Sequence, residues 1–206
     1  ENARDCLIAR NNLTLAELPT GAVVGTGAPR RIAQLKALRS DIHTVPLRGN
    51  IDTRMAKVHD GELDAVVLAY AGLSRVHRAD EATEVFDPLE FLPAPAQGAL
   101  AVECRADDAD TIAAITTIAD SKAYACARTE RVVLARLEAG CTAPVAAYAT
   151  VAADNIMTLH AAVIAMDGSA TLRATAAGPI DTAENLGMTV ARALLDDGAS
   201  SLLAAS

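Results

Sequence analysis

Three short segments carry arginine where an apolar stretch gives way to a helical one. They are Gly25-Thr26-Gly27-Ala28-Pro29-Arg30-Arg31, Leu47-Arg48-Gly49-Asn50 with Arg54, and Gly72-Leu73-Ser74-Arg75. A guanidinium is always charged, and its planar fork of donors matches a carboxylate or a phosphate. In the first segment the backbone N–H groups and the positive end of a helix face one spot. Its Gly-x-Gly does not extend to a dinucleotide fingerprint or a P-loop. Taken singly, each segment reads equally well as a tight turn with solvated arginines. Cations at helix starts are mildly unfavourable, so their repetition points to use rather than accident. Separate arginines suit a ligand bearing several carboxylates.

A second chemistry lies in Leu137-Glu138-Ala139-Gly140-Cys141-Thr142-Ala143-Pro144. Cys141 follows a helical stretch and precedes a proline, in a loop where a thiol can be exposed and reactive. The alternative is an ordinary small buried residue. Cys104 and Cys126 fall in apolar contexts that read as core. No CxxC pair and no Cys/His cluster has zinc spacing, so no metal is expected. His43, His59, His77 and His160 make no Ser/His/Asp or Cys/His order and read as structural or solvated. Asp107-Asp108 and Asp196-Asp197 read as a helix start and a helix end.

The elements that must position these groups alternate. Strands are expected at Ala22–Val24, His43–Leu47 and Ala65–Tyr70. Helices are expected from about Arg30 to Arg39, over Ile51–His59 and from Ala71 to Val76. The first helix shows Ile32, Leu35 and Leu38 on one face, with Pro29 at its entry. Strand–helix alternation implies crossovers and a mostly parallel sheet, whose ligands sit beyond the C-terminal strand ends. The three arginine segments would then share one rim. Pro88, Pro93 and Pro95 punctuate Phe86–Arg105, which reads as a crossing segment with a strand-like Ala99–Cys104. Two helices (Asp107–Ala119, Ala123–Glu138, with Gly140 as the C′ residue) lead to three period-2 strands, Val145–Val151, Ile156–Ala165 and Ala170–Ala176. A helix over Thr182–Leu195 closes the chain, so the second half is a small α+β unit.

Composition narrows the function classes. The chain has 206 residues, 51% of them hydrophobic but only 2% aromatic, so its core is aliphatic. Base-stacking nucleic-acid surfaces need aromatic platforms, and a net charge of −8 argues against a phosphate-backbone binder. Of 18 basic residues three are lysine (Lys36, Lys57, Lys122), leaving 15 arginines. A high-GC genome would give the same ratio, so arginine position says more than arginine number. No apolar run is long enough to span a bilayer, and Glu1–Arg10 reads as polar and charged, unlike a signal peptide. A reduced, cytoplasmic protein is expected. The chain opens without an initiator Met, as an excerpt of a longer one would.

These pieces, in this order, resemble the porphobilinogen deaminase (hydroxymethylbilane synthase) family. Val24-Gly25-Thr26-Gly27-Ala28-Pro29-Arg30-Arg31 is similar to the family's Gly-Thr-Ser-Ser-x-Arg-Arg strand-loop, and Leu47-Arg48-Gly49-Asn50-Ile51-Asp52-Thr53-Arg54 to its Leu-Arg-Gly-Asn-x-x-Thr-Arg. Gly61–Ala65, Ala71-Gly72-Leu73, Leu92-Pro93, Gln97–Leu100, Glu103-Cys104-Arg105, Glu130-Arg131 and Leu137–Cys141 fit as well.

The resemblance implies an enzyme of tetrapyrrole (porphyrin and heme) biosynthesis. Such an enzyme joins porphobilinogen molecules head to tail, releases ammonia and primes the chain on a dipyrromethane cofactor. It implies a thioether to Cys141, contacts to the cofactor from Thr26, Gly27, Ala28, Arg30 and Arg31, and contacts to the growing chain's acids from Arg48, Arg54 and Arg75. The fold implied is a periplasmic-binding-protein-like, parallel-rich three-layer α/β domain at 1–85 and a small α+β cofactor-attachment domain at 107–206, with a three-stranded antiparallel sheet. Between them, 86–106 is a crossing segment belonging to the N-terminal domain. A monomer is implied when full length, with no nucleic acid or membrane partner. Two departures stand out. Gly27 and Ala28 replace two serines, which removes two hydroxyl donors. The family's catalytic aspartate lies upstream of Glu1, so the chain alone is expected to be inactive. A non-catalytic carboxylate-binding module and a nucleotide-binding regulatory domain using Gly25–Gly27 are the other readings.

Overall fold

A computed structural model of the chain describes residues 1–140 and 142–204. A five-stranded sheet forms from β1 (Asp5–Ala9), β2 (Val23–Gly25), β3 (His43–Val45), β4 (Ala65–Ala69) and β5 (Glu84–Val85), in the order β3-β2-β4-β1-β5. β2 runs parallel to β3 and β4. β1 runs antiparallel to β4 on one side and β5 on the other. The sheet is therefore mixed, and β1 was not expected at all. Its apolar run, Cys6 to Ala9, is short and bracketed by charge, which hid it within a stretch that reads as polar. In the fold all five of its residues are buried.

Helix α1 (Pro29–Leu38) covers one face of this sheet, and α2 (Ile51–His59) with α3 (Tyr70–Arg75) covers the other. Alternate strand residues divide accordingly. Leu7, Val24, Ala65 and Val67 pack with Leu35 of α1, and Cys6, Ile8, Val66 and Leu68 pack with Met55, Val58 and Leu73. Burying one such aliphatic side chain contributes roughly 1.5–3 kcal/mol. The inward face of α1 differs from the expected one. Arg30, Arg31, Ala33, Gln34 and Leu35 are buried, whereas Leu38 is 51% exposed. The polar members turn inward because partners with opposite polarity wait there.

The crossing segment is two structures in sequence. Phe86 and Phe91 stack at 4.6 Å inside the sheet's core, and Leu92 is bound at both backbone groups by the Gln34 amide (2.8 and 3.0 Å). Residues 99–105 are exposed and form no strand, so the expected strand at Ala99–Cys104 is absent. Cys104 is exposed, not core. A strand needs a neighbour for its N–H and C=O groups, and no described strand pairs with this run.

Beyond it come α4 (Ala109–Ile118) and α5 (Ser121–Arg136), then β6 (Val145–Val151), β7 (Ile156–Ile164) and β8 (Thr171–Pro179) in an antiparallel sheet of order β6-β7-β8. Helix α6 (Ala183–Asp196) packs with α5 on one face of that sheet. A Cβ at Gly187 would lie 2.8 Å from the Thr129 carbonyl, so the closeness of the two helices requires glycine there. The chain then turns at Gly198 into an unexpected last helix, α7 (Ala199–Ala204). The left-handed residue after α5 is Glu138 (φ 50°), not Gly140. The N–H groups of Glu138 and Ala139 reach the Ala135 and Leu134 carbonyls in a Schellman closure. The two units meet where Ala33 and Leu92 pack on Ala146, Ala162 and Ile164.

Candidate functional site

Because β2, β3 and β4 are parallel, the loops that follow them leave from one edge of the sheet. Contacts tie these loops together. The Thr26 N–H donates to the Val45 carbonyl (3.0 Å), which holds the first loop on the second strand's end. A Cβ built at Gly27 would lie 2.8 Å from the Leu47 carbonyl oxygen, so the first two loops touch backbone to backbone. At Gly72 in α3 a Cβ would lie 3.3 Å from the Ile51 side chain at the start of α2, so the second and third loops also meet. Asp5, the first residue of β1, pairs in register with Ala69, the last of β4, and so stands on the same edge.

The arginines on this rim fall into two classes. Arg30 and Arg31 turn inward and are 4% and 8% exposed. Both grip Asp5: Arg30 Nη1 donates to Oδ2 at 2.7 Å, and Arg31 Nη2 and Nε donate to Oδ1 at 2.7 and 3.1 Å. The Gln97 amide adds a fourth donor to Asp5 at 2.9 Å, and its carbonyl oxygen accepts from Arg30 at 3.3 Å. Arg30 also donates to the Leu92 carbonyl (2.5 Å), and Arg31 to the Val67 carbonyl (3.3 Å). Burial alone would raise the Asp5 pKa. The charges of Arg30 and Arg31 and the hydrogen bonds they donate outweigh that and hold the carboxyl below its ordinary value.

The second class faces solvent. Arg48 is exposed and has no ion-pair partner among the described residues. Arg54 donates through Nε to the Gly49 carbonyl (2.8 Å), which leaves its Nη groups uncommitted. Asn50 caps α2 by accepting from the Thr53 N–H at 2.8 Å and so sets the start of the helix that carries Arg54. Arg75 pairs with Glu1 at 2.7 Å. Thr26 is buried, the space beside Gly27 is set by the Leu47 backbone, and the Ala28 N–H donates to the Thr26 hydroxyl at 3.4 Å. Cys141 lies outside the described residues. Of the other thiols, burial pushes Cys6 up to about 12 and Cys126 up to about 11, which keeps both protonated at neutral pH. His43, His59 and His77 are exposed, and the His160 ring bonds the Thr175 hydroxyl.

Sequence reasoning missed Asp5, Gln34 and Gln97. The available signal was an acidic residue directly before an apolar run, and a Gln-Gly in a proline-rich segment. It missed Glu130 as well, which is buried in α5 and accepts from the Ala96 and Ala149 N–H groups at 2.5 and 2.7 Å. Glu130 lines a cleft of about 250 Å³ with Asn2, Gln97, Cys126 and Tyr148. Among the described residues no helix is long and apolar enough to cross a membrane, and no cluster of His, Cys, Asp or Glu could hold a metal ion.

Comparison with known proteins fixes what this rim belongs to. Residues 1–113 match the family model described as porphobilinogen deaminase, dipyromethane cofactor binding domain. Residues 124–196 match the one described as porphobilinogen deaminase, C-terminal domain. The chain belongs to the porphobilinogen deaminase family. It is 66% identical to the porphobilinogen deaminase of Corynebacterium diphtheriae over 202 residues, covering 97% of this chain and 68% of that protein. It is 59% identical to that of Corynebacterium glutamicum over 204 residues (98% and 68%) and 52% identical to that of Nocardia farcinica over 211 residues (98% and 61%). Membership gives the chain the family's role, as a transferase of tetrapyrrole biosynthesis that carries the dipyrromethane cofactor. The residues present fit such a group. Its acid side chains call for guanidinium donors, and Arg48 and Arg54 hold theirs unspent on the rim.

Proposed function

We propose that the chain supplies the arginine rim and the attachment thiol for joining four porphobilinogen molecules head to tail into hydroxymethylbilane, with release of ammonia. One observation carries this reading: three arginine-bearing loops meet on a single sheet edge, and Arg48 and Arg54 keep free donors there. In this reading Cys141 holds the dipyrromethane through a thioether. That group supplies the pyrrole carbon on which the chain is built. Thr26, Gly27 and Ala28 form the loop beside it, and Arg30 and Arg31 reach its acid arms only by giving up bonds they make to Asp5 and to backbone carbonyls. Arg48, Arg54 and Arg75 take the acetates and propionates of the growing chain. An acid group reaching Arg75 displaces Glu1 from it.

The cation formed when ammonia leaves needs a carboxylate beside the pyrrole nitrogens. Asp5 is unsuited to that role, because it is fully buried and its carboxylate is taken up by Arg30, Arg31 and Gln97. We therefore assign that carboxylate to the family's sequence upstream of Glu1, and expect the 206 residues alone to leave porphobilinogen unconsumed. The same reading divides the chain at residues 85 and 106 and gives 86–106 to the N-terminal domain. It makes the working enzyme a cytoplasmic monomer.

Intact mass of the full chain is the test. A covalent dipyrromethane adduct that disappears in Cys141→Ser is the expected result. An unmodified Cys141 in protein that consumes porphobilinogen overturns the attachment. An adduct-free full chain that consumes none leaves the carboxylate-binding module as the better reading.

A further inference from the structure

The hairpin that joins β7 to β8 belongs to the second unit, yet its tip rests on the first. The turn Asp167-Gly168-Ser169 sits against the backbone of α1. A Cβ at Gly168 would lie 2.6 Å from the Lys36 carbonyl carbon and closer still to the Ala37 nitrogen, and the residue has φ 78°. Only glycine meets both conditions. A second hold comes from β8. Arg173 donates to the Leu89 carbonyl at 2.6 Å and to the Glu90 carbonyl at 3.0 Å. These carbonyls belong to the crossing segment, which Gln34 of α1 also grips at Leu92.

Both holds lie in line with the entry to β6, the strand that follows Cys141 in the chain. Arg173 stands opposite Ala162 of β7, and Ala162 stands opposite Ala146 of β6. The Ile164 N–H at the end of β7 donates to the Pro144 carbonyl (3.1 Å), so the hairpin turn and the entry to β6 share one end of the sheet. The Ala147 N–H next to that row donates to the Pro93 carbonyl (3.1 Å). Helix α1, in turn, begins on the rim with Arg30 and Arg31. A continuous path of contacts thus runs from the arginine rim through α1 and the hairpin to the strand beside the attachment loop.

We propose that this hairpin is a clasp, and that Gly168 and Arg173 are positioning residues which hold the loop of Cys141 in one orientation to the arginine rim. This deepens the proposed function and rests on it. Arg48 and Arg54 bind acid arms on the rim without help from the second unit. A new bond forms only when the chain end held through Cys141 meets the ring bound there. With the clasp open, the second unit is out of line for part of the time, and a misplacement of about 1 Å can cost on the order of a hundredfold in rate. Loss of the clasp therefore lowers kcat and leaves KM alone.

The full-length chain tests this. Arg173 is exposed, so Arg173→Ala is expected to fold. Its kcat for porphobilinogen consumption is expected to fall about tenfold, with KM within about twofold of the unaltered value. Amide hydrogen exchange is expected to quicken at residues 89–93 and in the last turn of α1, and to stay unchanged inside β6, β7 and β8. Arg173→Lys keeps a donor for the two carbonyls and is expected to recover most of the rate. Gly168→Ala lifts the turn off α1 and is expected to show the same split; if only one of the Ala variants folds, that one decides. A folded variant with unchanged kcat, or with its loss in KM, overturns the proposal. The exchange reading needs no turnover. An unaltered chain that carries no adduct and consumes no porphobilinogen sinks the proposed function, whereas exchange that is the same in Arg173→Ala and the unaltered chain sinks the clasp.

Discussion

Two carboxylates grip the crossing segment, one from each unit, and they are solvated in opposite ways. Asp5, from the sheet, is enclosed by the guanidiniums of Arg30 and Arg31 and the amide of Gln97. Glu130, from α5, is enclosed by two backbone N–H groups, those of Ala96 and Ala149, with no cation bonded to it among the described residues. Both are almost wholly buried, yet the first is held below its ordinary pKa and the second is pushed up to about 7. Burial penalises both charges. Full opposite charges reverse that penalty at Asp5, whereas amide dipoles only reduce it at Glu130. The contrast separates a permanent charge, useful for arranging arginines, from a group whose ionisation strains the joint between units.

Removing Asp5 is the strongest way to break this comparison. Asp5→Ala leaves two buried guanidiniums without a partner, and a loss of about 3–5 kcal/mol in urea unfolding is expected. The pH dependence has a definite sign. A depressed carboxyl contributes stability that is complete above its unfolded pKa of 3.8 and is lost as pH falls through the lower folded value. Asp5→Asn is therefore expected to flatten the acid limb of the stability curve below pH 3.8.

Glu130 is expected to behave in the reverse way. Its folded pKa lies above the unfolded 4.5, so stability of the 206-residue chain falls as pH rises from 4.5 to about 7. The expected span is roughly 2–3 kcal/mol, and urea midpoints at the two ends of that window measure it. Glu130→Gln is expected to remove the slope. It also turns an NH₂ group toward one of the two amides, a cost of about 1–3 kcal/mol at acid pH. A slope that persists in the glutamine variant would mean that another group titrates at the joint.

A smaller effect is expected at the loop that Asp5 helps to hold. Gly27→Ser restores a hydroxyl of the family's motif but puts a Cβ against the Leu47 carbonyl, so a loss of about 1–2 kcal/mol in thermal unfolding is expected. If Gly27→Ser raises the unfolding temperature instead, the two loops are not packed as described. The smallest change sharpens the C-terminal side. Glu138→Gly relieves a left-handed residue at the end of α5 and is expected to stabilise by about 0.5–1 kcal/mol.

Much of the architecture was legible from periodicity. The three period-2 strands lie at β6 to β8 with ends shifted by a few residues, and α2 spans its expected Ile51–His59. The arginine segments do lie at the ends of parallel strands. What misled was local appearance. Arg30 and Arg31 look like surface arginines at a helix mouth, yet they are buried because an acid lies beneath them. Cys104 looks apolar in context, yet no neighbour covers it.

The alternation of apolar runs and helices, and the spacing of arginines at strand ends, are written along the chain and can be read without coordinates. They are local patterns, each set by a few neighbouring residues and the period of the element they form. Which arginines face solvent and which face Asp5 depends on β1 entering the sheet antiparallel beside β4 and carrying a carboxylate to a rim made by residues far along the chain. Only the tertiary structure could decide that, because the stability of a buried charge comes from the groups folded around it and not from its neighbours in sequence.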